Sequence, residues 1–209
     1  GGQRHIIVVG DSQTGKTSTL RALISEALIG KKANEVMFGM FDMRRNLLGF
    51  VPPDFLGDYA GTASAAKTLV EGIRLELERR LPPSDVTVEQ LRNRSWWSGP
   101  EIYIVVDDFD MIEGNNNPLK PLVPFLAQAA DIGLHVIIAR RAAGIGRSSY
   151  EPVLQGLKDA GANGILLSGD RQEGQVWPGV YLQRLPAGRA NWVDKSGKKH
   201  LVQLAFYPE

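Results

Sequence analysis

An α/β fold, built on a mostly parallel sheet flanked by helices, is what this sequence predicts. Three observations predict it: short runs that are apolar throughout, amphipathic helical stripes between them, and alternation of the two along the chain. With 209 residues, 43% of them hydrophobic and 22% charged, the chain can bury one full core, and residues 1–209 read as a single domain.

Ile6-Ile7-Val8-Val9 is β-branched throughout and stops at Gly10, as a strand buried on both faces does. Leu20, Leu23, Ile24, Ala27 and Leu28 recur at the helical period, and that helix ends before Gly30. Val36–Phe41 is a second strand, whereas 44–61, with Pro52-Pro53 and three glycines, reads as a long loop. Thr62 is placed to cap a helix carrying Ala66, Leu69, Val70, Ile73, Leu77 and Leu81 on one face, stopped by Pro82-Pro83. Thr87-x-x-Gln90 has the pattern of a capping box opening a short helix. Ile102–Val106 is a third buried strand, followed by an Asn-rich turn at Gly114–Asn117. A helix over about Leu119–Asp131 leads into a fourth strand, Leu134–Ala139. Pro152–Asp159 suggests another helix and Gly164–Leu167 another short strand. Val193–Phe206, broken at Lys195-Ser196-Gly197-Lys198, reads as a C-terminal β-hairpin at the sheet edge.

Lys and Arg number 24 against 23 Asp and Glu, a net charge of +1, so no overall field recruits nucleic acid or an acidic membrane. No apolar stretch approaches the ~18 residues of a membrane span, and no insertion by this chain is expected. The absence of cysteine excludes disulfides, thiolate metal sites and cysteine nucleophiles, and agrees with an intracellular home. Gly1-Gly2-Gln3-Arg4, without an initiator Met or a signal-like run, reads as the start of a fragment of a longer protein.

Gly10-Asp11-Ser12-Gln13-Thr14-Gly15-Lys16-Thr17 fits G-x-x-x-x-G-K-[ST], the phosphate-binding P-loop, and it sits between a buried strand and an amphipathic helix. Two glycines let successive N–H groups converge into a nest for a β-phosphate at a helix N-terminus. In such a loop Lys16 reaches the β- and γ-phosphates of ATP, Thr17 ligates Mg²⁺ and Ser18 meets the α-phosphate. Ile104-Val105-Val106-Asp107-Asp108 is a hydrophobic strand ending in two carboxylates. Asp107 is the expected Mg²⁺ partner opposite the loop, and Asp108 stands where many such ATPases carry the Glu that activates water. One methylene fewer leaves that base about an ångström short, so ATP binding is better supported than turnover.

Arg140-Arg141, after the fourth strand, reads either as a γ-phosphate contact through Arg140 or as a solvated pair. Arg44-Arg45 reads as a loop surface pair rather than a contact to a neighbour's nucleotide. Trp96-Trp97 and Trp177 read as packing or loop-anchoring aromatics, and His5, His135 and His200 receive no catalytic role.

In its order of segments the sequence resembles the FtsK/SpoIIIE-like RecA-type P-loop NTPases, most closely the repeated modules of EccC proteins of type VII (ESX) secretion. The resemblance lies in His5–Gly10 running into the P-loop, Arg44-Arg45-x-Leu47-Leu48, Tyr59-Ala60-Gly61, Trp96-Trp97-Ser98-Gly99-Pro100-Glu101 before the Asp107-Asp108 strand, and Leu185-Pro186-Ala187-Gly188-Arg189. It implies a RecA-like sheet, Mg²⁺ and ATP as cofactors, and a place as the second or third module of a cytoplasmic string associated with the inner membrane. The implied partners are the other ATPase modules and the C-terminal tail of a small secreted helical-hairpin protein, with no nucleic acid. Motor modules of the DNA-pumping branch carry Asp-Glu and Ala-Thr-Gln-Arg-Pro where this chain has Asp107-Asp108 and Ala139-Arg140-Arg141-Ala142, which points to a degenerate module. The alternatives are a DNA translocase domain of the same superfamily, and an interaction domain whose P-loop is a relic.

Overall fold

The computed structural model describes residues 4–205. Gly1-Gly2-Gln3 and the Phe206 end of the expected hairpin lie outside the described residues. In chain order the strands are β1 (His5–Gly10), β2 (Val36–Asp42), β3 (Leu56–Ala60), β4 (Glu101–Asp107) and β5 (Leu134–Arg141). They continue as β6 (Asn163–Leu166), β7 (Gln175–Trp177), β8 (Val180–Tyr181), β9 (Arg189–Val193) and β10 (Lys199–Gln203). The helices are α1 (Lys16–Leu28), α2 (Ala63–Arg79), α3 (Val88–Asn93), α4 (Ala129–Ile132), α5 (Ile145–Ser148) and α6 (Pro152–Asp159).

One eight-stranded sheet, in the order β10-β9-β6-β1-β5-β4-β2-β3, runs through the molecule; β7 and β8 form a separate pair. The six strands from β6 to β3 are parallel, and β9 and β10 add an antiparallel hairpin at one edge. The β-branched runs occupy the centre, where both faces are covered: every residue of β1 is buried. Ile6 and Val8 pack with Leu20 and Ile24 of α1 on one face. Ile7 and Val9 pack on the other face into a core with Leu69, Ile73 and Leu77 of α2 and Leu154 of α6. The period of two along the strand thus feeds two cores, one per face.

Thr62 caps α2 as its sequence predicts, accepting a hydrogen bond from the Ala65 amide. Thr87 and Gln90 make the reciprocal bonds of a capping box on α3.

Four expectations are corrected. The 44–61 segment is not all loop: Leu56–Ala60 forms β3, an edge strand that needs only backbone pairing with β2 and carries no apolar run. The helix expected over Leu119–Asp131 is a 3-10 stretch, Lys120–Gln128, followed by the single turn α4. Pro124, inside the stretch, lacks the amide an α-helix would send to Lys120 O, whereas Pro121 lies in the first turn, where none is needed. α2 ends at Arg79, before Pro82-Pro83, so Leu81 leaves its apolar face and is exposed. The hairpin begins at Arg189, four residues earlier than expected, because β9 pairs with β6 as well as β10. The pair β7/β8 and the short α5 have no counterpart in the sequence reading.

Candidate nucleotide-binding site

The parallel order brings the carboxyl ends of β1, β4 and β5 side by side, the place where an open α/β sheet receives ligands. From β1 the chain turns through Gly10–Gly15 into α1. A Cβ at Gly10 would lie 2.5 Å from Thr14 Oγ1 and 2.7 Å from Leu167 Cβ, so the loop closes only over glycine. Gly15 has φ 98° and takes the left-handed turn that aims the first amides of α1 into the recess. Asp11 N donates to Ser168 O at 2.9 Å, tying the loop to the end of β6. Thr14 Oγ1 and Lys16 Nζ both donate to Asp11 O, at 2.8 and 2.7 Å. Ser12, Gln13, Gly15, Lys16, Thr17, Ser18 and Asp108 line an open recess of about 310 Å³. Burial lowers the pKa of Lys16, against the raising effect of Asp108 and Asp107.

Thr17 Oγ1 donates to Asp107 Oδ2 at 2.8 Å, across 90 residues of sequence. Asp107 is 2% exposed, and its Oδ1 accepts the amide of Asp108 at 2.9 Å. Burial raises the pKa of Asp107, with the Asp108 charge adding to it and the Thr17 hydrogen bond opposing it. Asp108 has the left-handed φ of 50°, which Asp tolerates, and this turns its carboxyl into the recess. Its Oδ2 is buried without a hydrogen-bond partner among the described residues, and burial raises its pKa too. A hydroxyl, two crowded carboxylates, one ammonium and a ring of amides form a donor set that suits a divalent cation bridged to a polyphosphate.

Arg140 is not part of this recess. It is 2% exposed, and its Nε and Nη2 donate to the two oxygens of Glu113 at 2.8 Å each. Nη2 also donates to Ser148 Oγ at 2.7 Å and Nη1 to Ala143 O at 3.0 Å. The fork is spent on the segment after β4 and on α5, so neither the γ-phosphate contact nor the solvated pair describes it. Only Arg141 is exposed, beside Asp110 at 3.3 Å.

Three residues assigned no part by sequence sit against the recess. Arg44, although mostly exposed, brings Nε within 3.6 Å of Asp108 Oδ2. Asp42 is fully buried in register with Asp107 and accepts from Asn46 N, Leu47 N and Tyr59 Oη at 3.0, 2.7 and 2.7 Å, fixing the turn that carries Arg44. A carboxylate ending the apolar run of β2 was the available signal. Arg184 pairs with Asp11 of the P-loop from 173 residues away, and nothing local in sequence announces it.

The tryptophans are anchors. Trp96 and Trp97 donate to Arg80 O and Asp131 O at 2.9 and 2.8 Å, and the Arg80 guanidinium lies 4.2 Å from the Trp97 ring centre. At the opposite, amino edge of the sheet His135 hydrogen-bonds Glu101 at 2.7 Å, far in the fold from the P-loop.

The FtsK/SpoIIIE family model matches residues 1–69. EccC of Thermomonospora curvata is 40% identical over 97% of the chain, and EccC4 of Mycobacterium tuberculosis is 38% identical over 98%. The chain spans only 15% and 17% of the lengths of those two proteins. Among solved structures, ATPases 2 and 3 of the T. curvata EccC, in complex with a signal sequence peptide, superpose with a TM-score of 0.94 at 39% identity. That match covers 99% of this chain and 37% of the other.

Proposed function

Because the chain belongs to the FtsK/SpoIIIE family, in its branch of EccC proteins from ESX (type VII) secretion systems, we propose that it is an ATP-binding module with slow or absent hydrolysis of its own. The observation that carries this reading is the 2.8 Å hydrogen bond from Thr17 to Asp107, which joins the P-loop to the end of β4 where a metal–polyphosphate would sit. The amides of Gly10–Gly15 would cradle the β-phosphate, Lys16 would reach the β- and γ-phosphates, Ser18 the α-phosphate, and Thr17 and Asp107 would hold Mg²⁺. The cation supplies neutralisation of charge on the phosphate oxygens. Among the described residues that line the recess, Asp108 is the carboxylate left to act on water, and it is a methylene shorter than Glu. Arg140 is committed to Glu113 and adds nothing at the γ-phosphate.

Such a module would work beside other ATPase modules at the cytoplasmic face of the inner membrane, held there through a larger secretion complex. Its partner would be the C-terminal tail of a small secreted helical-hairpin protein, a reading supported by the signal sequence peptide bound to its T. curvata neighbour. Residues 1–209 would be one such module. The second reading, a DNA translocase domain, is favoured by the family-model match itself and disfavoured by the net charge of +1.

Thermal unfolding in Mg·ATP tests the proposal. At a hundredfold excess over Kd the folded state should gain about 2.7 kcal/mol, and Lys16→Ala should remove the gain. An unmoved wild-type midpoint at millimolar ATP overturns binding. A wild-type turnover of ~10 s⁻¹ or more overturns slow hydrolysis.

A further inference from the structure

Away from the P-loop, a cavity of about 280 Å³ opens between α6 and β7. Tyr150, Gln155, Lys158, Asp159, Val176 and Trp177 are among the residues that line it. Two residues of the lining hold β7 in place: Ser149 Oγ donates to Gln175 O at 2.8 Å, and Lys158 Nζ donates to Val176 O. Trp177 is nearly buried and forms an apolar side of the cavity, while Tyr150 stands 82% exposed at its rim.

The unusual group is the Lys158 ammonium. It is half-buried, 5.1 Å from the ring centre of Trp177, and its hydrogen bond goes to a neutral carbonyl. Among the described residues no carboxylate forms an ion pair with it. The one acid whose charge acts on it is Asp159, and Oδ1 of Asp159 is occupied by Gln155 Nε2 at 2.7 Å. Burial outweighs the Asp159 charge and draws the Lys158 pKa down to about 8. The half-buried ammonium has a carbonyl, the Trp177 ring and the Asp159 charge near it but no ion-pair partner, and an anion entering the cavity would supply one. Lys158 is the one cation among the lining residues and Asp159 lines the cavity beside it, so the cavity suits a monoanion and not a phosphate, whose higher charge the acid would repel. The indole beside the ammonium asks for an apolar group attached to that anion.

We propose that this cavity binds a carboxylate carrying an aromatic or branched apolar group. The Lys158 ammonium takes the carboxylate, and Trp177 and Tyr150 take the apolar part. Such a group comes either from a free organic acid or from the terminal carboxylate of a peptide. The site is independent of the nucleotide reading.

Calorimetric titration without nucleotide tests it, with 3-phenylpropionate against 3-phenylpropionamide, and acetyl-Gly-Gly-Phe with a free against an amidated C-terminus. The acids should bind at least tenfold more tightly than the amides, and Lys158→Met should erase that ratio while Lys158→Arg keeps part of it. Tighter binding of the peptide acid assigns the site to a chain terminus; tighter binding of phenylpropionate assigns it to an organic acid. Equal affinity for acid and amide, or no binding of either acid, overturns the proposal. If Lys158→Met fails to fold, the NMR shift of the Lys158 side chain on adding 3-phenylpropionate decides: a shift in the wild type supports the site, and none overturns it.

Discussion

His5 shows how one side chain can tie stability to pH. It is 2% exposed and accepts the Val136 amide through Nδ1 at 3.1 Å, a role only an unprotonated nitrogen can fill. Burial, with the charges of His135 and Arg4 adding to it, lowers its pKa from 6.5 to about 4. The folded state therefore takes up this proton later than the unfolded chain, so stability is complete above pH 6.5 and falls as pH drops through the window to 4. That loss is worth about 3 kcal/mol. Glu101 acts with the same sign lower down: burial alone would raise its pKa, but hydrogen bonds from His135 and Arg94 prevail and bring it to about 2, so its contribution fades below pH 4.5. Denaturant titrations should show the decline from pH 6.5 to 4 in the wild type and a flatter profile in His5→Asn, whose amide oxygen replaces Nδ1. Arg140 predicts a different outcome. Arg140→Met strands Glu113 beside Ser148 and should cost about 3 kcal/mol of stability, while leaving the stabilisation by Mg·ATP intact. Loss of nucleotide binding in a folded Arg140→Met protein would return this arginine to the site.

At the scale of elements, helix ends carry the local specification. α2 starts at a Thr62 side chain that meets the Ala65 amide at 3.2 Å, and Thr62→Ala should cost about 1 kcal/mol in chemical denaturation without touching the P-loop. No measurable cost would mean that α2 is held by its apolar face alone. α1 has no side-chain cap, and its free amides are what a bound phosphate would use. An element that leaves its own donors unsatisfied at a sheet end is organised for a ligand more than for its own stability. The 3-10 stretch at Lys120–Gln128 shows the converse: Pro124 in its interior denies it α-helical bonding, yet Leu122, Phe125 and Leu126 still reach the core.

The whole molecule has two unlike sheet edges. The carboxyl edge gathers the P-loop, Asp107, Asp108 and Asp42, whereas the amino edge holds the His5, Glu101 and His135 cluster. No helix among the described residues is long and apolar enough to cross a membrane. A near-neutral surface gains little from counterion release, so recognition should rest on apolar burial and hydrogen bonds. Titration of tail peptides from helical-hairpin proteins should give micromolar binding that changes little with salt, and duplex DNA should give none. Salt-steep DNA binding with no peptide response would establish the translocase reading instead. The sequence by itself determined what local chemistry dictates: the β-branched strands β1, β4 and β5, the capped starts of α2 and α3, and the loop at Gly10–Ser18, whose glycines and lysine are adjacent in the chain. Tertiary structure alone decided what depends on neighbours distant in sequence. β3 exists because β2 offers it a backbone edge, not because Leu56–Ala60 is apolar. Arg140 is structural because Glu113 and Ser148 converge on it, and Arg44 and Arg184 reach the P-loop recess because the strand order folds their loops over it. A charged side chain acquires its role from the partner it meets, and the order of strands in the sheet, not spacing along the chain, chooses that partner.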